Sequence, residues 1–233
     1  MTMLRSLIYA AIFYPMTLFW VIAGISGSFV SRPFTLGVVR SWVRINHWLV
    51  TRLLRIRIRV DGVVPAGAHL FAVKHQSMLE TLEMVRITNL PVIVIKKELA
   101  DMPLFGLMTR RYGVIPVERT AGAKALRALV AAGQKAVASG RDVIIYPEGT
   151  RVRVGETPEL RSGFAALYRA LGLPVVPVAV DSGIVWGRGL VHRPGEVTVK
   201  VGETIPPGLR RDEIERRVHA AINALELAPE PRA

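Results

Sequence analysis

The sequence predicts an α/β fold: a mixed, largely parallel sheet flanked by helices, preceded by an N-terminal membrane-embedded helical segment. Short runs of β-branched residues alternate with longer amphipathic stretches from residue 55 onward, which is typical of strands alternating with helices. Residues 7–30 contain no charged side chain. The chain of 233 residues is 51% hydrophobic and has no cysteine, so a packed core without disulfides is expected.

The charge distribution indicates an anionic partner. Lys and Arg number 31 against 18 Asp and Glu, which gives a net charge of +13. Residues 1–60 hold eight of the basic residues and no acidic one, beside the most apolar stretch of the chain. Membrane surfaces attract this combination of arginine and apolar side chains, whereas nucleic acids do not need the apolar part. We therefore expect membrane lipids or phosphorylated substrates as partners, and no nucleic acid.

The uncharged run at residues 7–30 is long enough to cross a bilayer. Pro15, Gly24 and Gly27 make a kinked or re-entrant helix an alternative to a straight span, and a cleaved signal peptide is a further alternative. Arg5 alone precedes the run, whereas seven arginines follow it by residue 59. By the positive-inside rule this asymmetry keeps the rest of the chain in the cytoplasm.

A second helix is predicted over residues 35–54. Arg40, Arg44 and His47 recur at helical spacing on one face, and Trp42 and Trp48 are aromatic residues of the kind that favour a membrane interface. An ordinary amphipathic helix packed on the domain is the alternative. We favour the membrane surface because no acidic residue within residues 1–60 balances the arginines.

Three segments follow from this division of the chain. Residues 1–54 are predicted to be membrane-anchoring helices, residues 55–227 an α/β domain, and residues 228–233, with two prolines, a disordered tail. Within the domain, strands are expected at 55–60, 69–73, 92–95, 114–117, 142–146, 175–180 and 196–201, and helices at 78–89, 103–112, 121–139, 162–171 and 211–225.

The segment KHQSMLET at residues 74–81 joins a predicted strand to a predicted helix, which is where α/β proteins place ligands. His75 would lie at the mouth of that site, and Glu80 follows one helical turn later. An imidazole held by a carboxylate is a general base with a fixed orientation. Ser77 and Glu80 also match a capping box, in which the glutamate only caps the helix.

The segment YPEGTR at residues 146–151 also follows a predicted strand. Gly149 permits a tight turn, which would project Glu148 and Arg151 from the same sheet edge. Arginine suits bidentate binding of a phosphate, and glutamate can accept hydrogen bonds from hydroxyls. A surface turn with a local ion pair is the alternative.

A third group of basic residues includes Lys96, which follows a predicted strand, and Arg119, which ends another. Arg119 could face the same cleft as His75. For Lys96, a solvated charge cluster is the alternative.

Taken together, these blocks resemble a known family. The order of these segments resembles the four blocks of the glycerolipid acyltransferases. The segments are His75 with a carboxylate five positions later, then Arg119, then EGTR at 148–151, then LPVVPV at 173–178. The chain looks like the bacterial 1-acyl-glycerol-3-phosphate acyltransferases over residues 68–185. The family usually has Asp where this chain has Glu80, whose longer side chain alters the geometry toward His75.

The resemblance implies a role for each block. His75 would be the general base and Glu80 its partner, while Arg119 and Arg151 would bind the phosphate of the acceptor. The remaining residues implied in substrate binding are Lys96, Glu148, Gly149 and Thr150.

The implied reaction moves a fatty acyl chain from an acyl thioester, carried by coenzyme A or acyl carrier protein, to the sn-2 hydroxyl of lysophosphatidic acid. The product would be phosphatidic acid, made at the cytoplasmic face of the bacterial cytoplasmic membrane. We expect no cofactor and no covalent acyl-enzyme. We also expect no metal ion, because the histidines lack the spacing of metal ligands. Two alternatives stay open: a related enzyme with another acceptor, such as a lyso-ornithine lipid, and a non-catalytic lipid-binding membrane protein.

Overall fold

The computed structural model describes residues 1–88, 90–117 and 122–226, without the side chains of 122–126. The predicted site residue Arg119 and the predicted tail at 228–233 lie outside the described residues. The strands are β1 (Ile56–Asp61), β2 (Leu70–Val73), β3 (Val92–Lys96), β4 (Ile115–Val117), β5 (Val143–Ile145), β6 (Val175–Val180) and β7 (Gly195–Val201). The helices are α1 (Thr2–Ser28), α2 (Arg32–Arg52), α3 (Leu79–Ile87), α4 (Lys97–Ala100), α5 (Phe105–Tyr112), α6 (Gly122–Ala138), α7 (Ser162–Leu171) and α8 (Arg211–Ile222).

The seven described strands form one sheet in the order β1-β7-β6-β2-β5-β3-β4. Among these pairs, β6 and β7 run antiparallel and the others run parallel. The prediction of a mixed, largely parallel sheet is therefore confirmed. Strands β2 to β6 all point the same way, so their carboxyl ends meet at one edge of the sheet, where open α/β sheets bind ligands.

Two hydrophobic cores lie on the two faces of the sheet. Strands β2, β5 and β6 are buried along their whole length, as expected of central parallel strands covered by helices on both sides. Successive side chains of a strand point to opposite faces. Phe71 of β2 accordingly packs in the core beneath α1, α2 and α3, while its neighbour Leu70 packs in the core beneath α6, α7 and α8.

The two N-terminal helices pack on the first of these cores. Tyr9 and Phe13 of α1 and Val43 of α2 are buried in the cluster that contains Phe71. The Tyr9 hydroxyl donates to Asn46 Oδ1 of α2 at 2.8 Å. Helices α1 and α2 therefore share a core with the sheet.

The opposite face of α1 is apolar and exposed. This helix has 27 residues and is, within the described part of the chain, the helix whose length and composition would allow it to cross a membrane. Only 22% of its most apolar window is buried. Exposed apolar patches of this extent mark contacts with lipid or protein. The side chains that form the exposed apolar face are Met3, Leu4, Leu7, Ile8, Ile12, Leu18, Phe19 and Ile22.

Candidate active site

Three strand ends meet to form the site. His75 follows β2, Glu148 follows β5, and Ser182 follows β6, which are neighbours in the sheet. Because these strands are parallel, their carboxyl ends deliver the three segments to one place. Helix α3 begins there and supplies Glu80 from its first turn.

His75 and Glu80 form a hydrogen-bonded pair. The Nδ1 atom of His75 lies 2.9 Å from Oε1 of Glu80. The Glu80 side chain is fully buried, whereas the His75 side chain is 16% exposed. A carboxylate on Nδ1 favours the tautomer with the proton on that nitrogen, which leaves Nε2 able to accept a proton. The pair therefore has the arrangement of an oriented general base.

Glu80 accepts four further hydrogen bonds. Its Oε1 atom accepts the backbone N–H groups of Gln76 at 2.8 Å and Ser77 at 2.6 Å, and its Oε2 atom accepts the hydroxyls of Ser77 and Ser182, both at 2.6 Å. Burial alone would raise the pKa of Glu80, but the hydrogen bonds and charge of His75 and the two hydroxyls lower it below its ordinary value. Glu80 is therefore a carboxylate at neutral pH.

The same contacts cap helix α3. The backbone N–H of Ser77 donates to Glu80, and the hydroxyl of Ser77 accepts from the N–H of Leu79 at 3.0 Å, as in a capping box. The two alternatives for Glu80 are thus not exclusive, because one oxygen atom accepts from both the imidazole and the helix entrance.

Tyr146 holds the other side of the imidazole. Its ring lies over His75 with 4.2 Å between the centroids and 30° between the planes. Burial raises the pKa of the Tyr146 phenol, and the charge of Glu80 adds to this, so the phenol stays neutral. The imidazole is therefore fixed by a hydrogen bond in its plane and an aromatic ring against its face.

The side chain of Glu148 points into the interior of the protein. Its Oε2 atom accepts the backbone N–H of His75 at 2.9 Å, and its Oε1 atom lies 2.8 Å from Nζ of Lys74. The side chains of Lys74 and Glu148 are both fully buried. Burial raises the pKa of Glu148 above its ordinary value, although Lys74 and His75 oppose the shift.

The turn after β5 separates the residues of the EGTR block. Gly149 has φ of +72°, and its N–H donates to the Tyr146 carbonyl at 2.9 Å. Only glycine adopts such a backbone without strain. The turn directs Glu148 inward, whereas Thr150 and Arg151 are exposed.

A cavity of about 160 Å³ lies beside the pair. Gln76 and Ser77, which lie between His75 and Glu80 in sequence, line the cavity together with two basic residues, Arg151 and Arg188. The Arg188 guanidinium donates to the Arg151 carbonyl at 3.1 Å, so the two residues are neighbours. None of the described residues that line this cavity is acidic. Its apolar wall comes from Tyr9 and Phe13 of α1 together with Trp186.

The structure brings most, but not all, of the predicted site residues together. His75, Glu80 and Glu148 are in contact, and Arg151 lines the adjacent cavity. Lys96 is exposed at the end of β3, with β5 between that strand and β2.

Four residues of the site had no predicted role. Lys74 and Tyr146 stand inside the recognised blocks but had no role assigned, and Ser182 comes two residues after a predicted strand. The sequence position of each of these three residues therefore indicated that it could lie near the site. Arg188 lies in a loop after β6, and only the folded chain places it beside Arg151.

Comparison with known proteins places the chain among acyltransferases. A family model described as Acyltransferase matches residues 55–181. The chain is 33% identical over 168 residues to a 1-acyl-sn-glycerol-3-phosphate acyltransferase of Pseudomonas aeruginosa, covering 71% of this chain and 65% of that protein. It is 26% identical over 201 residues to a lyso-ornithine lipid O-acyltransferase of the same organism, covering 77% of each.

A solved structure supports the fold. The crystal structure of the 1-acyl-sn-glycerophosphate acyltransferase PlsC from Thermotoga maritima superposes with a TM-score of 0.75 over 99% of this chain and 100% of that one, at 19% identity. That similarity includes the N-terminal helices as well as the sheet. The family model covers more than half of the chain. The chain belongs to the acyltransferase family.

Proposed function

We propose that the protein transfers a fatty acyl group from an acyl thioester to the sn-2 hydroxyl of 1-acyl-glycerol-3-phosphate, giving phosphatidic acid. The observation that carries the proposal is the buried carboxylate of Glu80 on Nδ1 of His75, beside a cavity with an apolar wall and two arginines. A general base, an apolar surface and an anion site are what acyl transfer to a phosphorylated lyso-lipid requires.

The proposed reaction uses His75 twice. Its Nε2 atom takes the proton of the acceptor hydroxyl as the oxygen attacks the thioester carbonyl, and Glu80 stabilises the imidazolium that forms. The tetrahedral intermediate then collapses to the ester and expels the thiolate. The thiolate takes the proton from His75, which returns the base to its starting state.

The phosphate of the acceptor would bind at the basic side of the cavity. Arg151 is exposed there, and an arginine can form two parallel hydrogen bonds with a phosphate. Arg119, Lys96 and Thr150 remain proposed contributors on the basis of the family resemblance. The acyl chain of the acceptor would lie along the apolar wall supplied by α1.

The exposed apolar face of α1 supports a location at a membrane, since the helix also forms part of the cavity wall. We place the catalytic domain at the cytoplasmic face of the bacterial cytoplasmic membrane. Membrane lipids would surround α1, and the donor would arrive from the cytoplasm as acyl-coenzyme A or acyl carrier protein.

The test is acyl transfer by the purified full chain in detergent. Lysophosphatidic acid with acyl-coenzyme A or acylated carrier protein should give phosphatidic acid. A lyso-ornithine lipid is the second candidate acceptor, because the alignment with the lyso-ornithine lipid acyltransferase covers 77% of both chains. A strong preference for the phosphate-free acceptor would overturn the first proposal, and no turnover with any lyso-lipid would favour a lipid-binding protein.

A further inference from the structure

Lys74 is a fully buried ammonium group next to the proposed base. Its Nζ atom lies 2.8 Å from Oε1 of Glu148 and donates to the carbonyl of Glu156 and to Oδ1 of Asn223, both at 2.6 Å. The ammonium therefore donates two hydrogen bonds and has the Glu148 carboxylate at ion-pair distance. A buried ammonium is stable only when it is paired and hydrogen-bonded.

Glu148 connects this ammonium to His75. One carboxylate oxygen faces Lys74 and the other accepts the backbone N–H of His75 at 2.9 Å, so Glu148 bridges two consecutive residues. Its side chain has no exposed surface. An acceptor lipid in the cavity would therefore meet Arg151 and not the Glu148 carboxylate.

The rest of the backbone around His75 is held as well. The carbonyl of His75 accepts from the N–H of Val152 at 2.8 Å. On the far side, the Gln76 side chain accepts from the N–H of Gly183 at 2.9 Å and donates to Glu226. Asn223 and Glu226 both belong to the end of the chain that follows β7, so this segment contacts the residues on either side of His75.

We propose that Lys74 and Glu148 form a positioning device for His75, in which Lys74 keeps the buried carboxylate in place and the carboxylate fixes the backbone of the base. The inference rests on the proposed function. It gives Glu148 the role of positioning His75, whereas the family resemblance implies that Glu148 contacts the substrate. A positioning role affects the rate of the chemical step, whereas a substrate contact affects binding.

The first test is Lys74→Met, which keeps an unbranched apolar side chain of similar size and removes the ammonium group. We expect kcat to fall about tenfold or more, while KM for lysophosphatidic acid and for the acyl donor changes by less than about threefold. Lys200→Met, at an exposed lysine of β7, is the matched control and should behave as wild type. An unchanged kcat in a folded Lys74→Met protein would overturn the proposal.

Glu148→Gln separates the two roles of the carboxylate. The amide oxygen can still accept from the His75 N–H, but the attraction to Lys74 is lost. A positioning role predicts a lower kcat with KM for lysophosphatidic acid nearly unchanged, whereas a substrate contact predicts a higher KM. Combining it with Lys74→Met removes both buried charges. If Lys74→Met alone unfolds, this double variant should fold, and its kcat should be higher than that of Glu148→Gln alone. A lower kcat for the double variant than for Glu148→Gln would refute the pairing of Lys74 with Glu148.

A readout without substrate keeps this inference apart from the proposed function. In the full chain labelled with ¹⁵N-histidine, the His75 resonances should show the Nδ1–H tautomer in the wild type, because Glu80 accepts from Nδ1. They should shift in Lys74→Met, because the backbone of His75 is no longer held by a fixed Glu148 carboxylate. Unchanged His75 resonances would contradict the positioning role, whatever the acceptor is. If the wild type shows the single tautomer but does not acylate lysophosphatidic acid, only the proposed function fails.

Discussion

Oε1 of Glu80 accepts from the imidazole of His75 and also from the backbone N–H groups of Gln76 and Ser77. One atom therefore fixes the proposed base and the entrance of helix α3 together. The longer side chain of glutamate, in place of the aspartate usual in the family, reaches both sets of donors in this backbone.

The first prediction concerns the charge of Glu80. Glu80→Gln should lower kcat about a hundredfold or more, because a neutral amide no longer stabilises the imidazolium. The free energy of unfolding should fall only modestly, since the amide oxygen can replace Oε1 and the NH₂ group can donate to the hydroxyls of Ser77 and Ser182. Steady-state kinetics and the melting temperature of the same preparation provide the check, and a wild-type kcat would remove Glu80 from the mechanism.

The second prediction concerns Ser182, for which the sequence implied no role. Ser182→Ala removes one hydrogen bond to the buried Glu80 carboxylate and should reduce the free energy of unfolding by about 1.5–3 kcal/mol. Ser41→Ala on the exposed face of α2 is the control and should be nearly neutral. Equal stabilities of the two variants in chemical denaturation would show that the Ser182 hydroxyl does not support Glu80.

The third prediction is a pH dependence of stability. The folded-state pKa of Glu80 is depressed, so its stabilisation is present above the ordinary value of 4.5 and is lost as pH falls through the lower folded value. The Glu148 pKa is raised instead, so its contribution has the opposite sign and is lost as pH rises. The stability difference between wild type and Glu80→Gln should therefore shrink below pH 4.5. A difference that is constant across that range would contradict the ionised state of Glu80.

The fourth prediction concerns the phosphate. Arg151→Ala should raise KM for lysophosphatidic acid at least about tenfold, as expected from the loss of a charge-assisted hydrogen bond, and should change KM for the acyl donor little. Arg151→Lys should recover only part of the lost affinity, because an ammonium keeps the charge but cannot form the bidentate contact. Arg210→Ala, at an exposed arginine before α8, is the matched control. Equal effects on both substrates would instead give Arg151 a role in the fold.

The fifth prediction tests the membrane face of α1. Replacing the outward-facing Leu18, Phe19 and Ile22 by serine should release the protein from lipid vesicles, since each loses apolar area that lipid would cover. Val63→Ser, at an exposed loop residue, is the control. Deleting α1 would be a poorer experiment, because Tyr9 and Phe13 belong to the core. Flotation equal to that of wild type would contradict the anchoring role.

The sequence was sufficient for the architecture and for the central pair. The alternation of strands and helices predicted the sheet, and the spacing of His75 and Glu80 predicted their contact. Local patterns gave the positions of most elements. They did not predict the short helix α4 or the 3₁₀ turn at Ser182–Ile184, because such turns depend on packing.

Other features of the site depend on the folded chain. The tight turn at Gly149 was predicted from the sequence, but the inward direction of Glu148 depends on a buried lysine that the EGTR motif does not indicate. Helix α1 is continuous from Thr2 to Ser28, with Pro15 inside it. The pairing of Arg188 with Arg151 joins loops that are distant in sequence, so no local pattern announces it.

The most direct test of the central claim compares phosphatidic acid formation by the full chain and by His75→Ala in the same detergent. The wild type should form phosphatidic acid from lysophosphatidic acid and an acyl thioester. The His75→Ala variant should lose about a hundredfold or more of kcat while it keeps its melting temperature, because the general base is gone. A folded His75→Ala protein that forms phosphatidic acid at the wild-type rate would contradict the account.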